Sequence, residues 1–239
     1  VRMAPLGSRD LEGSPYSLHV LREGFATPPD ADGTFRADGS VTLVLGGPVT
    51  ALVDTGGPWA RDPLLESLSR HRVSPEAVTH VVCTHGHSDH AGNLNLFPRA
   101  EIFVGFDLSH GFGVYRANSL AQGVPHVLHP GLLEVVATPG HTASHVGLLV
   151  RGTALGTALV AGDLFEREGD DEEWRAWSED PERQERSRRW ALGVADVLVP
   201  GHGAPFRLFR DGDGPQRSRG DDEEEEEEEE EGGEEPEGV

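Results

Sequence analysis

Four side chains able to bind a metal ion lie within six residues of this chain: His85, His87, Asp89 and His90. They follow an apolar, β-branched run over residues 78–83, which predicts a buried strand. If the backbone stays extended through His87, then His85 and His87 project to the same side and can bind one ion. The chain must then turn, which lets Asp89 and His90 serve a second ion. Imidazole and carboxylate are the usual ligands of zinc and related ions, so we favour a metal site over a polar loop whose histidines cap a helix.

Three further candidate ligands each follow a predicted strand and a turn residue. They are His141 after residues 132–136, Asp163 after residues 157–161, and His202 after residues 197–199. Each one is a weak signal by itself, because a lone histidine after Pro-Gly is usually an ordinary loop residue. Taken in this order with the first group, they predict a site that holds two metal ions.

The complete set resembles the ligand signature of the metallo-β-lactamase superfamily: His85, His87, Asp89, His90, His141, Asp163 and His202. The resemblance implies one ion held by His85, His87 and His141. It implies a second ion held by Asp89, His90 and His202, with Asp163 and a hydroxide bridging the two. We therefore expect Asp89 and Asp163 to act catalytically.

Two more residues are expected to support these ligands from behind. Asp54 matches the acidic residue that orients a ligand in the superfamily. His145, four residues past His141, is expected to hydrogen-bond near the site. Zinc is the expected metal, and iron and manganese stay open because a bridging carboxylate oxygen accepts them as well.

The alternation of predicted strands and helices indicates an α/β sandwich. The superfamily resemblance implies the αββα arrangement, in which two mixed sheets lie between helices. We expect residues 1–15 to be a loose lead-in, residues 16–210 to form the catalytic domain, and residues 211–239 to form a disordered acidic tail.

Charge is distributed unevenly along the chain, whose formal net charge is -22. Residues 221–237 hold 14 acidic residues and no basic residue, so the remainder has 28 acidic residues against 20 arginines, a net charge of -8. A run of nine consecutive glutamates repels itself and cannot bury apolar area, which predicts disorder. The tail either binds a basic protein or serves only solubility.

Cellular location is constrained by cysteine and by hydropathy. Cys83 is the only cysteine, so no disulfide can form within the chain, and a reducing compartment is favoured. We expect Cys83 in the core and not among the ligands. No run approaches about 18 apolar residues, so we expect no membrane association and a cytoplasmic or nuclear protein.

RNA is the favoured partner, and a homodimer is a further candidate assembly.

The resemblance implies a binuclear metal-dependent hydrolase, and an aspartate at the bridging position favours the thioester and phosphodiester branches. Segments 54–61, 93–98 and 161–167 resemble one vertebrate member of the superfamily, which implies an endoribonuclease that processes the 3′ ends of histone pre-mRNA. A glyoxalase II-like thioester or small-ester hydrolase is the alternative. A scaffold that acts through the acidic tail is the non-enzymatic alternative. The acidic body argues against RNA, because phosphate contacts normally need a basic surface.

Three features stay open at this level. Trp59 either lines the mouth of the site or packs. Residues 105–125 are more simply a surface connection than a loop that contacts substrate. The arginines at 183, 186, 188 and 189 alternate with acidic residues, which favours a solvated helix face over a phosphate-binding cluster.

Overall fold

This computed structural model describes residues 1–111 and 113–210, so the expected acidic tail at 211–239 lies outside the described residues. The α-helices are α1 (Arg61–Arg70), α2 (Ser88–Ala91) and α3 (Pro181–Val194). Short 3-10 turns occupy Pro58–Ala60, Pro75–Ala77, Leu94–Leu96, Leu120–Gln122 and Glu173–Trp177. The strands, in chain order, are β1 (Arg2–Pro5), β2 (Asp10–Leu11), β3 (Ser17–Arg22), β4 (Phe25–Ala26), β5 (Ala37–Asp38), β6 (Val41–Leu45), β7 (Ala51–Val53), β8 (His80–Cys83), β9 (Glu101–Val104), β10 (Asp107–His110), β11 (Val114–Arg116), β12 (His126–His129), β13 (Leu133–Ala137), β14 (Val146–Thr153), β15 (Gly156–Gly162), β16 (Val197–Pro200) and β17 (Phe206–Phe209).

Two large sheets contain most of these strands. One has the order β1-β17-β16-β15-β14-β13-β12, and the other has the order β11-β10-β9-β8-β7-β6-β3-β2. In the first sheet β15 and β16 run parallel, and in the second β7, β8 and β9 run parallel. The other neighbours within these sheets are antiparallel, so both sheets are mixed, as predicted. Strands β4 and β5 pair separately as a two-stranded ribbon.

The central strands of both sheets bury apolar side chains on both of their faces. In β15, Val160 belongs to the cluster between the two sheets, while Leu159 packs in the cluster that includes residues of α3. In β8, Val82 faces the same interior, while Cys83 packs with the residues that α1 buries. A strand apolar on both faces needs a layer on each side. The αββα prediction is confirmed, and Cys83 is a buried core residue, as expected.

Helix α3 begins where the sequence predicts. Asp180 accepts a hydrogen bond from the backbone N of Arg183 at 3.0 Å, and Pro181 occupies the first turn, where its missing N–H costs nothing. The helix is not simply a solvated charged face, because Arg188 is buried beneath it. No helix in the described ranges has the length and apolar content needed to cross a bilayer.

The N-terminal residues differ from the expected loose lead-in. Strand β1 pairs with β17 from Arg2 opposite Phe209 to Pro5 opposite Phe206, and β2 pairs with β3. Pairing with a distant strand explains this difference. Strand β17 has backbone N–H and C=O groups that need hydrogen-bond partners on its outer side, and the short strand β1 supplies them.

Candidate metal centre

Neighbouring strand ends place the predicted site residues at one edge of the sandwich. Because β7 and β8 are parallel and align Val53 with Val82, Asp54 lies beside the start of the histidine segment. Strands β15 and β16 are also parallel, and their ends bring Asp163 and His202 together. The carboxyl ends of parallel strands meet at the same sheet edge, which is where ligands bind in open α/β sheets.

The first group of donor atoms belongs to His85, His87, His141 and Asp163, all within 4.8 Å of one another. His87 Nδ1 lies 2.8 Å from His85 Nε2 and 3.3 Å from His141 Nε2. Asp163 Oδ2 lies 3.6 Å from His85 Nε2 and 3.2 Å from His141 Nε2. The four atoms surround one point.

The second group belongs to Asp89, His90 and His202, also within 4.8 Å of one another. Asp89 Oδ2 lies 3.7 Å from His90 Nε2 and 3.9 Å from His202 Nε2. Asp163 reaches this group as well, with Oδ1 at 3.2 Å from His90 Nε2 and Oδ2 at 3.3 Å from His202 Nε2. The carboxylate oxygens of Asp163 therefore lie within 3.6 Å of donor nitrogens in both groups, the position predicted for a bridge.

The donor geometry fits metal ions. Four ligands in a tetrahedron around zinc lie roughly 3.3 Å from one another when each bond is about 2.0 to 2.1 Å. Four of the six distances between the first four donors are 2.8 to 3.6 Å, close to that value, and all six are within 4.8 Å. In addition, His90 Nε2 and Asp163 Oδ1 are buried and face each other at 3.2 Å without forming a hydrogen bond, which is costly unless a cation satisfies both lone pairs. All seven predicted ligands thus converge on two sites suited to divalent ions.

Asp54 orients both groups from behind, in the place predicted for it. Its Oδ2 lies 2.8 Å from His90 Nδ1, and its two oxygens accept hydrogen bonds from the backbone N and the hydroxyl of Thr84 at 2.7 and 3.0 Å. Thr84 Oγ1 in turn lies 3.0 Å from His85 Nδ1. A proton held on His90 Nδ1 leaves Nε2 as a lone-pair donor to metal. The left-handed backbone at Asp54, with φ of 58°, aims the carboxyl group inward.

Backbone carbonyls orient His202 in the same way. Its Nδ1 lies 3.2 Å from the oxygens of both Phe25 and Asp38, on the β4–β5 ribbon. That arrangement leaves Nε2 free to face Asp163. A side-chain carbon at Gly201 would clash with Asp163 Oδ1, so the close approach of β16 to the bridge requires glycine there.

His145 lies next to the first group but does not hydrogen-bond to it. Its ring stacks against His85 with centroids 5.3 Å apart, and its Nδ1 lies 2.9 Å from Thr138 Oγ1. Burial lowers the pKa of His145 to about 3, so the ring is neutral at physiological pH. The structure therefore gives His145 a packing contact with a predicted ligand in place of the expected hydrogen bond.

The pKa values of Asp163 and His202 are shifted because the two side chains are buried next to groups of opposite charge. Burial by itself raises the pKa of Asp163, but the charges of His90, His202 and His85 outweigh it and hold that pKa well below its usual range. Burial lowers the pKa of His202, yet the Asp163 carboxylate raises it to about 9. Asp163 is thus ionised at neutral pH, the form that binds a cation.

Glu166 has no role among the predicted site residues, but the structure brings it into the site. Its Oε2 lies 3.9 Å from His202 Nε2, and its Oε1 is buried without a hydrogen-bond partner. Burial and the nearby Asp163 carboxylate raise the pKa of Glu166 to about 8. Sequence reasoning could have found Glu166 from its position, three residues after Asp163 in the loop that follows β15.

A cavity of about 800 Å³ opens over both groups of donors. Trp59 lines it, which decides between the two roles left open for this residue. Among the described residues, Phe35 and Trp177 also line the cavity, and Arg167 is the one arginine in its lining. The described residues of the segment 105–125 do not line this cavity, in agreement with a surface connection.

Comparison with known proteins agrees with this geometry. The family model for the metallo-beta-lactamase superfamily matches residues 35–110. The Xenopus laevis metallo-beta-lactamase domain-containing protein 1 is 60% identical over 210 residues, which cover 87% of this chain and 89% of that protein. The Homo sapiens protein of the same name is 50% identical over 235 residues, covering 87% of this chain and 88% of that protein. A putative metallo-beta-lactamase from Thermotoga maritima superposes with a TM-score of 0.57 at 20% identity, covering 83% of this chain and 99% of that chain. The chain therefore belongs to the metallo-β-lactamase superfamily.

Proposed function

We propose that this superfamily hydrolase is an endoribonuclease that cleaves phosphodiester bonds in single-stranded RNA through a binuclear metal centre. The observation that carries the proposal is the convergence of seven donor residues into two groups that share Asp163, beneath a cavity open to solvent. Divalent ions held by these two groups would supply an activated water and would stabilise negative charge on phosphate oxygens. Zinc is the metal that we favour, and iron and manganese suit the same donors.

The protein residues have separable tasks in this proposal. Asp163 holds the two sites in a fixed relation, because it is buried and contacts histidines of both. Asp89 lines the cavity and is the carboxylate best placed to accept a proton from the attacking water. Asp54 keeps His90 in the tautomer that exposes Nε2 to the site.

The RNA substrate is inferred from the resemblance to a vertebrate member of the superfamily, which implies action on the 3′ ends of histone pre-mRNA. Cavity chemistry adds a condition. Arg167 is the one arginine in the lining, and it is paired with Glu173. With few cations to contact phosphates, affinity for bare RNA should be weak and fall as salt rises.

The test is cleavage of 5′-labelled single-stranded RNA by purified, metal-loaded protein, run beside a panel of thioesters. We expect internal cuts that leave a 5′-phosphate and a 3′-hydroxyl. A double variant with His85→Ala and His87→Ala should be inactive. The matched control is His110→Ala, which removes an exposed imidazole of β10 and should cleave like the wild type. Folded, dimetallated protein that hydrolyses thioesters but leaves RNA intact at low ionic strength would refute the proposal.

A thioester or small-ester hydrolase is the second candidate, and one observation favours it. Apolar and aromatic side chains, including Phe35, Trp59 and Trp177, form much of the cavity lining. Such a lining suits a neutral acyl group as well as a nucleic acid, and the thioester panel separates the two.

A further inference from the structure

Three aromatic side chains stand exposed at the mouth of the metal cavity. Trp59 is 63% exposed, Trp177 is 45% exposed and Phe35 is 43% exposed. All three line the cavity together with His87 and His202. A group of exposed aromatics around an opening marks a surface that binds something, because single exposed apolar residues are common but clusters are not.

Trp59 is exposed and yet held in place. Its Nε1 donates a hydrogen bond to Asp38 Oδ2 at 2.9 Å. Asp38 is fully buried, accepts a second hydrogen bond from the backbone N of Gly57 at 2.9 Å, and pairs with Arg22 at 2.6 Å. The indole therefore presents a fixed face to solvent, and little conformational entropy is lost when a ligand stacks on it.

Phe35 and Trp177 form a second surface by contacting one another. Their ring centroids are 4.9 Å apart at an interplanar angle of 53°. Phe35 lies in the loop between β4 and β5, and Trp177 ends the 3-10 turn Glu173–Trp177, so the contact joins two segments far apart in the sequence. The backbone oxygen of Asp38, on β5, also lies 3.2 Å from His202 Nδ1. Both aromatic surfaces therefore contact or belong to the β4–β5 ribbon, which also contacts the predicted metal ligand His202.

The protein offers few cations at the opening to a strand bound by its phosphates. Among the described residues that line the cavity, the one arginine is Arg167, and it pairs with Glu173. Aromatic stacking, in contrast, needs no cation and tolerates any base, because every base has a π-face. The chemistry of the mouth therefore favours contact with bases over contact with the sugar-phosphate backbone.

We propose that Trp59 and the Phe35–Trp177 pair are base-stacking surfaces that hold unpaired nucleotides next to the phosphodiester to be cleaved. The inference rests on the proposed endoribonuclease function and names how that site recognises its substrate. The proposed stacking explains how an acidic protein could bind a nucleic acid. Stacked bases would supply the binding free energy that a basic groove supplies in other nucleic-acid-binding proteins. The proposed stacking also requires a single-stranded substrate, since the bases of a duplex are stacked on one another.

The test compares two substrates and four proteins. The substrates are a labelled single-stranded RNA with one cleavage position and the same RNA with abasic residues on both sides of that position. The proteins are the wild type, Trp59→Ala, Trp59→Phe and the control Trp190→Ala. Trp190 is 39% exposed and borders a separate groove on α3.

On intact RNA, Trp59→Ala should raise KM about tenfold with a much smaller change in kcat, since the variant loses the stacking of one base. Trp59→Phe should recover most of the loss, and Trp190→Ala should match the wild type. On abasic RNA the wild type and Trp59→Ala should have the same KM, because the base that stacks is gone.

Three outcomes would overturn the inference. An unchanged KM for Trp59→Ala on intact RNA would exclude stacking on this residue, as would an equal loss on intact and abasic RNA. With the thioester panel described above, a KM that Trp59→Ala raises for long-chain thioesters but not for RNA would assign the mouth to an acyl group. Wild-type protein that leaves RNA uncleaved would instead refute the proposed function itself, and the inference with it.

Discussion

Arg188→Met should destabilise the protein strongly, although Arg188 lies in a helix rich in exposed charge. The guanidinium is 10% exposed and the Asp170 carboxylate beside it is fully buried, with Nη1 at 3.2 Å from Oδ2. Arg188 also donates hydrogen bonds to the backbone oxygens of Leu164 at 2.9 Å and Asp170 at 2.7 Å. Its guanidinium carbon lies 4.1 Å from the ring centroid of Phe165 and 4.8 Å from that of Trp174.

The magnitude follows from what remains after the cation is removed. Loss of one partner of a buried ion pair costs about 3 to 5 kcal/mol, because the other charge stays buried without compensation. Burial already raises the pKa of Asp170 against the opposing effect of Arg188. The carboxyl group can therefore take up a proton in the variant, which places the expected loss near the lower limit, at about 3 kcal/mol.

The assay is urea unfolding of metal-loaded protein followed by circular dichroism. With a urea m value of roughly 2 kcal/mol/M, the midpoint should fall by about 1.5 M. The matched control is Arg186→Met, an exposed arginine on the same helix, for which we expect a change within about 0.5 kcal/mol. The double variant Arg188→Met with Asp170→Asn should regain part of the loss. An Arg188→Met protein within about 1 kcal/mol of the wild type would refute the reasoning.

Other predictions concern the metal centre and the tail. Asp54→Asn should weaken binding of the ion on the His90 side by about 10 to 100-fold, measured by competition with a chelator, and unchanged affinity would show that Asp54 does not orient His90. Elemental analysis should find two ions per chain in the wild type and in Cys83→Ser, but none in Asp163→Ala. A Cys83→Ser protein without metal would contradict the assignment of that thiol to the core. Deletion of residues 221–239 should leave metal content and melting temperature unchanged, since glutamate side chains offer no apolar area to bury, and a clear fall in melting temperature would contradict this expectation.

The sequence by itself was sufficient to identify the seven predicted ligands and the layers that present them. Both depend on local patterns: a buried strand has a continuous apolar run, and a ligand that follows the run must lie at the end of that strand. Val78 to Cys83 and the segment before Asp163 each show this pattern, and the structure brings the side chains that follow them together. Asp54 was predicted from the superfamily resemblance, and in the structure it too directly follows an apolar strand.

Tertiary structure decided the features that depend on contacts between distant segments. Arg188 resembles its neighbours in the sequence, and its burial depends on Asp170 and on the rings that pack over it. Glu166 becomes part of the site because β16 carries His202 to it. The pairing of Phe35 with Trp177 and the hydrogen bond from Trp59 to Asp38 join residues 142 and 21 positions apart. Local periodicity reports which face of an element is apolar, but not which distant side chain will meet it. The candidate metal ligands could therefore be predicted from the chain alone, whereas the surface that we propose for substrate recognition exists only once the sheets and their connecting loops have packed.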